Sequence, residues 1–315
     1  MMESNFWDHE TVAQTHITWM ADPDVRMHMN RLIGSEEAPR WPLEWFRDAL
    51  QGRRFRRALS IGCGAGALER SLIDIDLVER IDAFDASVVA LTVARRAAIE
   101  SGHASRIHYY AADFNAPSLP RHHYDVVFIH QAAHHVAKLE KLYRAVMGAL
   151  TPDGLLYLDE YVGPSRGDWS LARLAPHREE YARLPEELRL WPVDPMPLPI
   201  QWDDLTEAVR SREIEPQLRV GYDVVARRPY GGSLLAIVLP LLRLERTPRE
   251  VIQRLIARER EWLARGEPSY YAVVVARPKR GLRALVAQLR YTLEPKLKRV
   301  AREVRGRLVR VPRSS

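Results

Sequence analysis

The 315-residue chain predicts an α/β fold: a doubly wound, mostly parallel seven-stranded sheet with helices on both faces and helical insertions over one end. Three observations carry this. Between residues 57 and 162, short apolar runs alternate with stretches patterned as helices. Those runs are continuously apolar, as in Asp125-Val-Val-Phe-Ile129, which suits strands covered on both faces. The first run breaks into Gly62, Gly64 and Gly66 and then into a helical pattern. A strand opening through glycines into a helix start leaves room and free N–H groups for a nucleotide-like ligand.

Taken in order, residues 1–56 form a helical lead-in rich in aromatics: Phe6, Trp7, Trp19, Trp41, Trp45 and Phe46. Asp22-Pro23 and Ala38-Pro39 mark turns in it. It reads as packing against the domain, with a lid over a ligand cleft as the alternative. Residues 57–162 form the ligand-binding core, with strands at 57–62, 80–85, 106–111, 124–130 and 154–161 and helices near 66–75, 87–101 and 137–149. Residues 163–217 are charged and rich in proline, from Pro164 to Pro199, and read as an inserted cap holding short helices.

Residues 218–277 complete the core with a strand at 218–228, helices at 231–244 and 248–264, and a last strand at Tyr270–Arg277. Thr247-Pro248 with Glu250 predicts a start resembling a capping box. Residues 278–315 form a basic amphipathic tail with apolar positions at 282, 286, 289, 293, 297, 300, 304 and 308. Pro295 is expected to divide it into two helices.

Composition excludes several classes. The single cysteine, Cys63, rules out a disulfide framework and a cysteine-based zinc site. The first residues show no basic stretch followed by an apolar run, so no signal peptide is expected. The longest apolar run, Leu234 to Leu242, is too short to span a bilayer. A cytoplasmic protein is expected. The net charge of +6 comes from the tail, where residues 277–315 hold 13 Lys/Arg against 2 Asp/Glu, and the preceding chain is net acidic. The tail admits three readings: a packed or solvated helix pair, a peripheral contact with the inner membrane face, or a nucleic-acid contact. The acidic core and the scarcity of aromatics among the tail charges disfavour nucleic acid.

Four features fall at the carboxyl ends of successive strands, where ligands bind in such folds. They are the glycine loop, Asp85 with Ala86, Asp113 with Phe114, and the segment His130-Gln131 followed by His134-His135. A carboxylate at Asp85 suits a ribose diol, and one at Asp113 suits an exocyclic amine. Either aspartate alone is as well explained as a turn former. In this order and spacing they describe a site.

The stretches A-L-S-I-G-C-G-A-G, F-D-A-S, A-A-D-F-N, Y-D-V-V-F-I-H-Q-A-A-H-H-V and L-T-P-D-G-L-L-Y-L-D-E-Y carry a resemblance. Over residues 57–162 the chain resembles the core of the class I S-adenosylmethionine-dependent methyltransferases, and Tyr270–Arg277 resembles their antiparallel last strand. G-C-G-A-G-A-L-E-R with L-D-E-Y-V-G-P-S-R is similar to a bacterial subgroup associated with surface-glycan gene neighbourhoods. The resemblance implies S-adenosylmethionine as cofactor. Gly62, Cys63, Gly64 and Gly66 would lie at its methionine moiety, Asp85 and Ala86 at the ribose, Asp113 and Phe114 around the adenine, and His130 and Gln131 near the sulfonium. Cys63 itself reads as a packed, inert thiol.

An NAD(P)-dependent oxidoreductase is the rival, because Gly62-x-Gly64-x-x-Ala67 with Asp85 also fits a dinucleotide fingerprint. It leaves Asp113 unexplained. A non-catalytic S-adenosylmethionine-binding protein is the other alternative. The expected reaction is O-methylation of a small-molecule or glycan hydroxyl, which needs a base. Candidates are His130, His134, His135, Glu160 and Tyr161, with a structural role for His134 and His135 equally open. Glu160, ending the fifth strand, is expected to face the cleft. Arg166 would bind an anionic group or pair with Glu160. No metal site is expected, because Asp159 and Glu160 are adjacent and point to opposite faces.

Overall fold

In the computed structural model, which describes residues 19–309 and side chains as far as residue 298, two helices precede the sheet: α1 (Pro23–Ile33) and α2 (Pro42–Ala49). Phe6, Trp7 and the last residues of the tail lie outside the described residues. Asp22 caps α1, its carboxylate accepting from the Asp24 and Val25 amides at 2.9 and 3.1 Å, and Pro23 supplies a pre-set first helical turn. The core then runs β1 (Phe55–Ile61), α3 (Ala67–Asp74), β2 (Val78–Asp85), α4 (Val88–Glu100), β3 (Ile107–Ala111), β4 (Tyr124–His130), α5 (Leu139–Ala149) and β5 (Leu150–Tyr161). The insertion holds α6 (Leu171–Ala182) and α7 (Ile214–Gly221). The chain closes with β6 (Tyr222–Pro229), α8 (Leu235–Val238), α9 (Arg249–Ala264), β7 (Tyr271–Pro278) and α10 (Leu282–Val309).

The strands pair in the order β3-β2-β1-β4-β5-β7-β6, parallel except for β7, which runs antiparallel to both β5 and β6. This is the expected seven-stranded, mostly parallel sheet. Its order reverses between β1 and β4, so the crevice at their carboxyl ends is where a ligand fits. Gly62 follows β1 there, and His130 ends β4.

Both faces of the sheet are covered, as the continuous apolar runs require. On one face Phe46 of α2 packs against Tyr157 and Phe128, with ring centroids 4.9 and 6.0 Å apart. Phe46 is fully buried, which is worth about 2–3 kcal/mol of hydrophobic stabilisation. On the other face Leu59, Ile61 and Val127 meet Tyr143 and Val146 of α5. The lead-in helices therefore belong to the core, and Trp19 and Trp41 also reach the mouth of a cavity described below.

Three local expectations are corrected. The predicted helix over 231–244 reduces to α8 and a short turn at Leu239–Leu241, where Pro240 removes a backbone donor. The start of α9 is not a capping box: Thr247 turns its hydroxyl back onto the Arg243 carbonyl at 2.9 Å and leaves the helix end uncapped by a side chain. The tail is one helix through Pro295 rather than two. Proline removes one intrahelical bond, but the preceding turn is held by Tyr291, which donates to the Gln217 carbonyl at 2.8 Å. Glu294 and Lys298 span the site with an ion pair at 3.0 Å. Among the described residues no helix is long and apolar enough to cross a membrane.

Beneath the glycine loop, Glu69 of α3 is completely buried and accepts a hydrogen bond from the Ser60 hydroxyl of β1. Burial pushes its carboxyl up to about 7, and the nearby Asp85 charge acts in the same direction. A raised carboxyl pKa stabilises the fold fully below the unfolded value of 4.5, and this is lost as pH rises to about 7. Chemical denaturation at pH 5 and pH 8 should show the wild type losing stability, of the order of 3 kcal/mol, across that window. Glu69→Gln should flatten the slope and be the more stable form at pH 8; an unchanged slope would refute the assignment.

Candidate active site

The loop after β1 is fixed by backbone contacts. The Gly62 and Cys63 amides donate to the Phe84 carbonyl at 2.9 and 3.2 Å, and the Gly66 amide to the Cys63 carbonyl at 2.9 Å. Two glycines are demanded by packing. A side chain on Gly62 would start 2.3 Å from the Ala132 methyl, and one on Gly66 2.3 Å from the Tyr109 hydroxyl, both at positive φ. Gly64 is different: a side chain there would meet nothing within 4 Å. It borders the open crevice. Cys63 is buried, and burial together with Glu69 and Asp85 pushes its thiol far up, so it is an inert packing residue.

Asp85, at the end of β2, braces this loop. One carboxylate oxygen accepts from the Gly64 amide at 2.8 Å and the other from the Ser87 amide at 2.9 Å. Ala86 beside it is exposed. Asp113 is exposed and accepts from the Asn115 amide at 2.8 Å, forming a local turn. Phe114 stands half-buried, its ring 5.9 Å from that of Phe84.

The end of β4 is the most constrained part of the site. Gln131 has φ +50°, an uncommon conformation for a non-glycine residue, and its amide donates to the Asp159 carbonyl at 2.8 Å. The next turn is held by Glu160. That carboxylate is 0% exposed and accepts from the Ala132 and Ala133 amides at 2.5 Å each and from His134 Nδ1 at 2.8 Å. The expectation that Glu160 faces the cleft is therefore corrected: it anchors the turn and has no access to a reacting group.

Tyr161 is half-buried and lines the cavity described below, its hydroxyl donating to the Pro164 carbonyl at 3.0 Å. Arg166 does not pair with Glu160; its Nη1 donates to the Gln201 and Asp204 carbonyls at 2.7 and 2.8 Å. His134 and His135 meet a segment of the insertion that sequence reading left blank. His135 Nδ1 lies 3.0 Å from the Thr206 hydroxyl and 3.4 Å from an Asp204 oxygen. Nε2 of each histidine lies 3.6 Å from Glu207 Oε2. Burial alone would lower the His134 pKa, but Glu160 and Glu207 outweigh it and raise it to about 9.

The carboxylate that does face the cleft is Asp159. Its Oδ1 accepts from the Tyr230 hydroxyl at 2.5 Å, and His130 Nε2 lies 3.5 Å from its Oδ2. Burial pushes the Asp159 carboxyl up, against the opposing pull of His130 and Tyr230. Asp159, Tyr230, Asp204 and Glu207 were all missed in the sequence. The alternation along β5 does show that only one of Asp159 and Glu160 can face the cleft, which was the available signal.

These groups line one end of a cavity of about 670 Å³. Its polar end is formed by His130, Gln131, His134, His135, Asp159 and Glu207. Its walls are apolar: Trp19, Met29 and Trp41 from the lead-in, Leu198 and Ile200 from the insertion, and Ile237 from α8. The glycine loop and Asp85 are outside this lining. They lie at the carboxyl ends of β1 and β2, and His130 and Gln131 stand at the end of the neighbouring β4.

Residues 59–158 match the profile of the Methyltransferase domain family. The chain carries a class I S-adenosylmethionine-dependent methyltransferase domain, with S-adenosylmethionine as methyl donor, and the oxidoreductase alternative falls away. Three solved structures illustrate the likeness in fold. A putative sarcosine dimethylglycine methyltransferase from Galdieria sulphuraria is 15% identical over 77% of this chain and 87% of its own, with a TM-score of 0.48. An S-adenosylmethionine-dependent methyltransferase from Mesorhizobium loti is 18% identical over 75% and 97%, with a TM-score of 0.44. The O-methyltransferase of a trans-AT polyketide synthase multienzyme from Brevibacillus brevis, in complex with S-adenosyl-L-homocysteine, is 12% identical over 91% and 93%, with a TM-score of 0.47. No curated protein matches the chain.

Removing a buried carboxylate from three donors strands two amides and an imidazole. Glu160→Ala should therefore cost about 3–5 kcal/mol in a chemical denaturation experiment. A variant of native stability that has lost only turnover would return Glu160 to the list of bases.

Proposed function

We propose that this enzyme methylates a hydroxyl of a small-molecule or glycan acceptor whose apolar part occupies the 670 Å³ cavity. The observation that carries this is the His130–Asp159–Tyr230 arrangement, set where the glycine-loop crevice meets the cavity. S-adenosylmethionine, when bound, supplies an electrophilic methyl group. The open space at Gly64, beside the Asp85 carboxylate that braces the loop, fits it. Gly62, Cys63, Gly64 and Gly66 would border its methionine moiety, Asp85 and Ala86 its ribose, and Asp113 and Phe114 its adenine. Gln131 and His130 would stand beside the sulfonium.

Methyl transfer needs donor and acceptor held in line, and a hydroxyl acceptor must also lose its proton. His130 is the base in this reading. Its side chain is 37% exposed and borders the cavity, whereas Glu160 and the Tyr161 hydroxyl are committed elsewhere. Asp159, itself held by Tyr230, orients the imidazole and stabilises the cation it becomes. The apolar walls exclude water from the acceptor.

The tail supports a peripheral membrane contact. α10 packs on α5 and α7 through Ala287 and Tyr291. Leu282, Leu285, Val286, Leu289, Leu293 and Leu297 are exposed on its opposite side, with Arg290 and Lys296 close by in the helix. An apolar stripe bordered by cations suits the surface of an anionic bilayer.

His130→Ala should lower methyl transfer by about 10²–10⁴-fold with little change in calorimetric affinity for S-adenosylmethionine. Asp85→Ala should weaken that affinity by roughly 10–100-fold. Full turnover in the first variant, or unchanged binding in the second, would overturn these roles. In flotation, the full chain should rise with phosphatidylglycerol vesicles and stay behind with neutral ones. Leu289→Glu with Leu293→Glu should abolish this; equal behaviour on both vesicle types would remove the membrane contact.

A further inference from the structure

The turn after β4 and the insertion place three ligand-type atoms around one point. We propose that His134, His135 and Glu207 hold a divalent transition-metal ion, zinc by their chemistry, at the polar end of the cavity. The ligand atoms of the three residues all lie within 4.8 Å of one another. Sequence spacing cannot show this, because the histidines and Glu207 meet only in the fold.

Four observations carry it. First, the two Nε2 atoms each lie 3.6 Å from Glu207 Oε2. That is too long for a good hydrogen bond. It is close to the ~3.4 Å that separates two ligands bound at ~2.1 Å around a tetrahedral ion. Second, both imidazoles are oriented through the other nitrogen. His134 Nδ1 is held by Glu160 at 2.8 Å, and His135 Nδ1 faces Thr206 and Asp204 at 3.0 and 3.4 Å. A carboxylate behind the ligating histidine is the usual support for a metal-bound imidazole.

Third, carboxylates crowd the two imidazoles. Glu160, Asp204 and Glu207 converge here, the first two at 0% and 4% exposure. A divalent cation would offset two of those charges where water is scarce. Fourth, two imidazoles and one carboxylate are a three-ligand set, which leaves a tetrahedral ion one open position. All three residues line the cavity, so that position would face into it. If the cavity is the acceptor site, as proposed above, the ion would bind the acceptor heteroatom there and favour its deprotonated form. It would also fasten the insertion to the core, where the Val209 amide already donates to the His134 carbonyl at 3.0 Å.

The test uses the full chain, stripped with a chelator and titrated with Co²⁺ as a visible probe, then with Zn²⁺. One equivalent of Co²⁺ should bind with the intense visible bands of a tetrahedral site, and Zn²⁺ should displace it. His135→Gln and Glu207→Gln should each weaken Co²⁺ binding by at least about tenfold, while calorimetric affinity for S-adenosylmethionine stays as in the wild type. Failure of the wild type to bind an equivalent, or binding unaltered in both variants, would overturn the metal site. Because Co²⁺ uptake is read without methyl transfer, its loss leaves the methyltransferase reading standing, and the converse also holds.

Discussion

One buried carboxylate governs the geometry of the cleft. Glu160 takes two backbone amides and an imidazole that the sharp turn after β4 would otherwise leave without partners. The turn is sharp because Gln131 adopts a positive φ, and that conformation is maintained only while the following amides are satisfied. From this arrangement two consequences spread in opposite directions. Ala132 is pressed against Gly62, which fixes the position of the glycine loop and forbids any side chain there. His134 and His135 are turned toward the 204–207 segment of the insertion, which shapes the polar end of the cavity.

Strand alternation then sorts the chemistry. Asp159 and Glu160 are neighbours on β5 with opposite fates. The first opens toward His130 and Tyr230, and the second is consumed in holding the floor of the site. Both are deeply buried, and each is tolerated because polar partners compensate for the loss of water. Division of labour between a positioning acid and a cleft-facing acid thus follows from the two-residue period of a strand and needs no special device.

Much of this was legible in the sequence. Continuous apolar runs and the glycine loop at the end of the first of them define the sheet and its switch point, because both depend on contacts local to the strands. The cavity was less legible. Glu207, Asp204 and Tyr230 reach the cleft from segments far along the chain, and no periodicity announces them. Glu160 was misread because its position at a strand end predicts a cleft-facing carboxylate, and only the fold reveals the amides that claim it. Pro295 was misread as a break because proline's local cost is visible in sequence and the packing of Tyr291 that offsets it is not. The Thr247 cap failed for a similar reason, its hydroxyl finding the nearer Arg243 carbonyl.

The central claim is that donor and acceptor meet at His130, between the glycine-loop crevice and the cavity. A crystal structure with S-adenosyl-L-homocysteine tests it most directly. The expected result is a ribose on Asp85 and a sulfur whose vacant methyl position opens into the cavity beside His130. A sulfur directed away from that cavity, or a ligand seated elsewhere than the glycine loop, would contradict it.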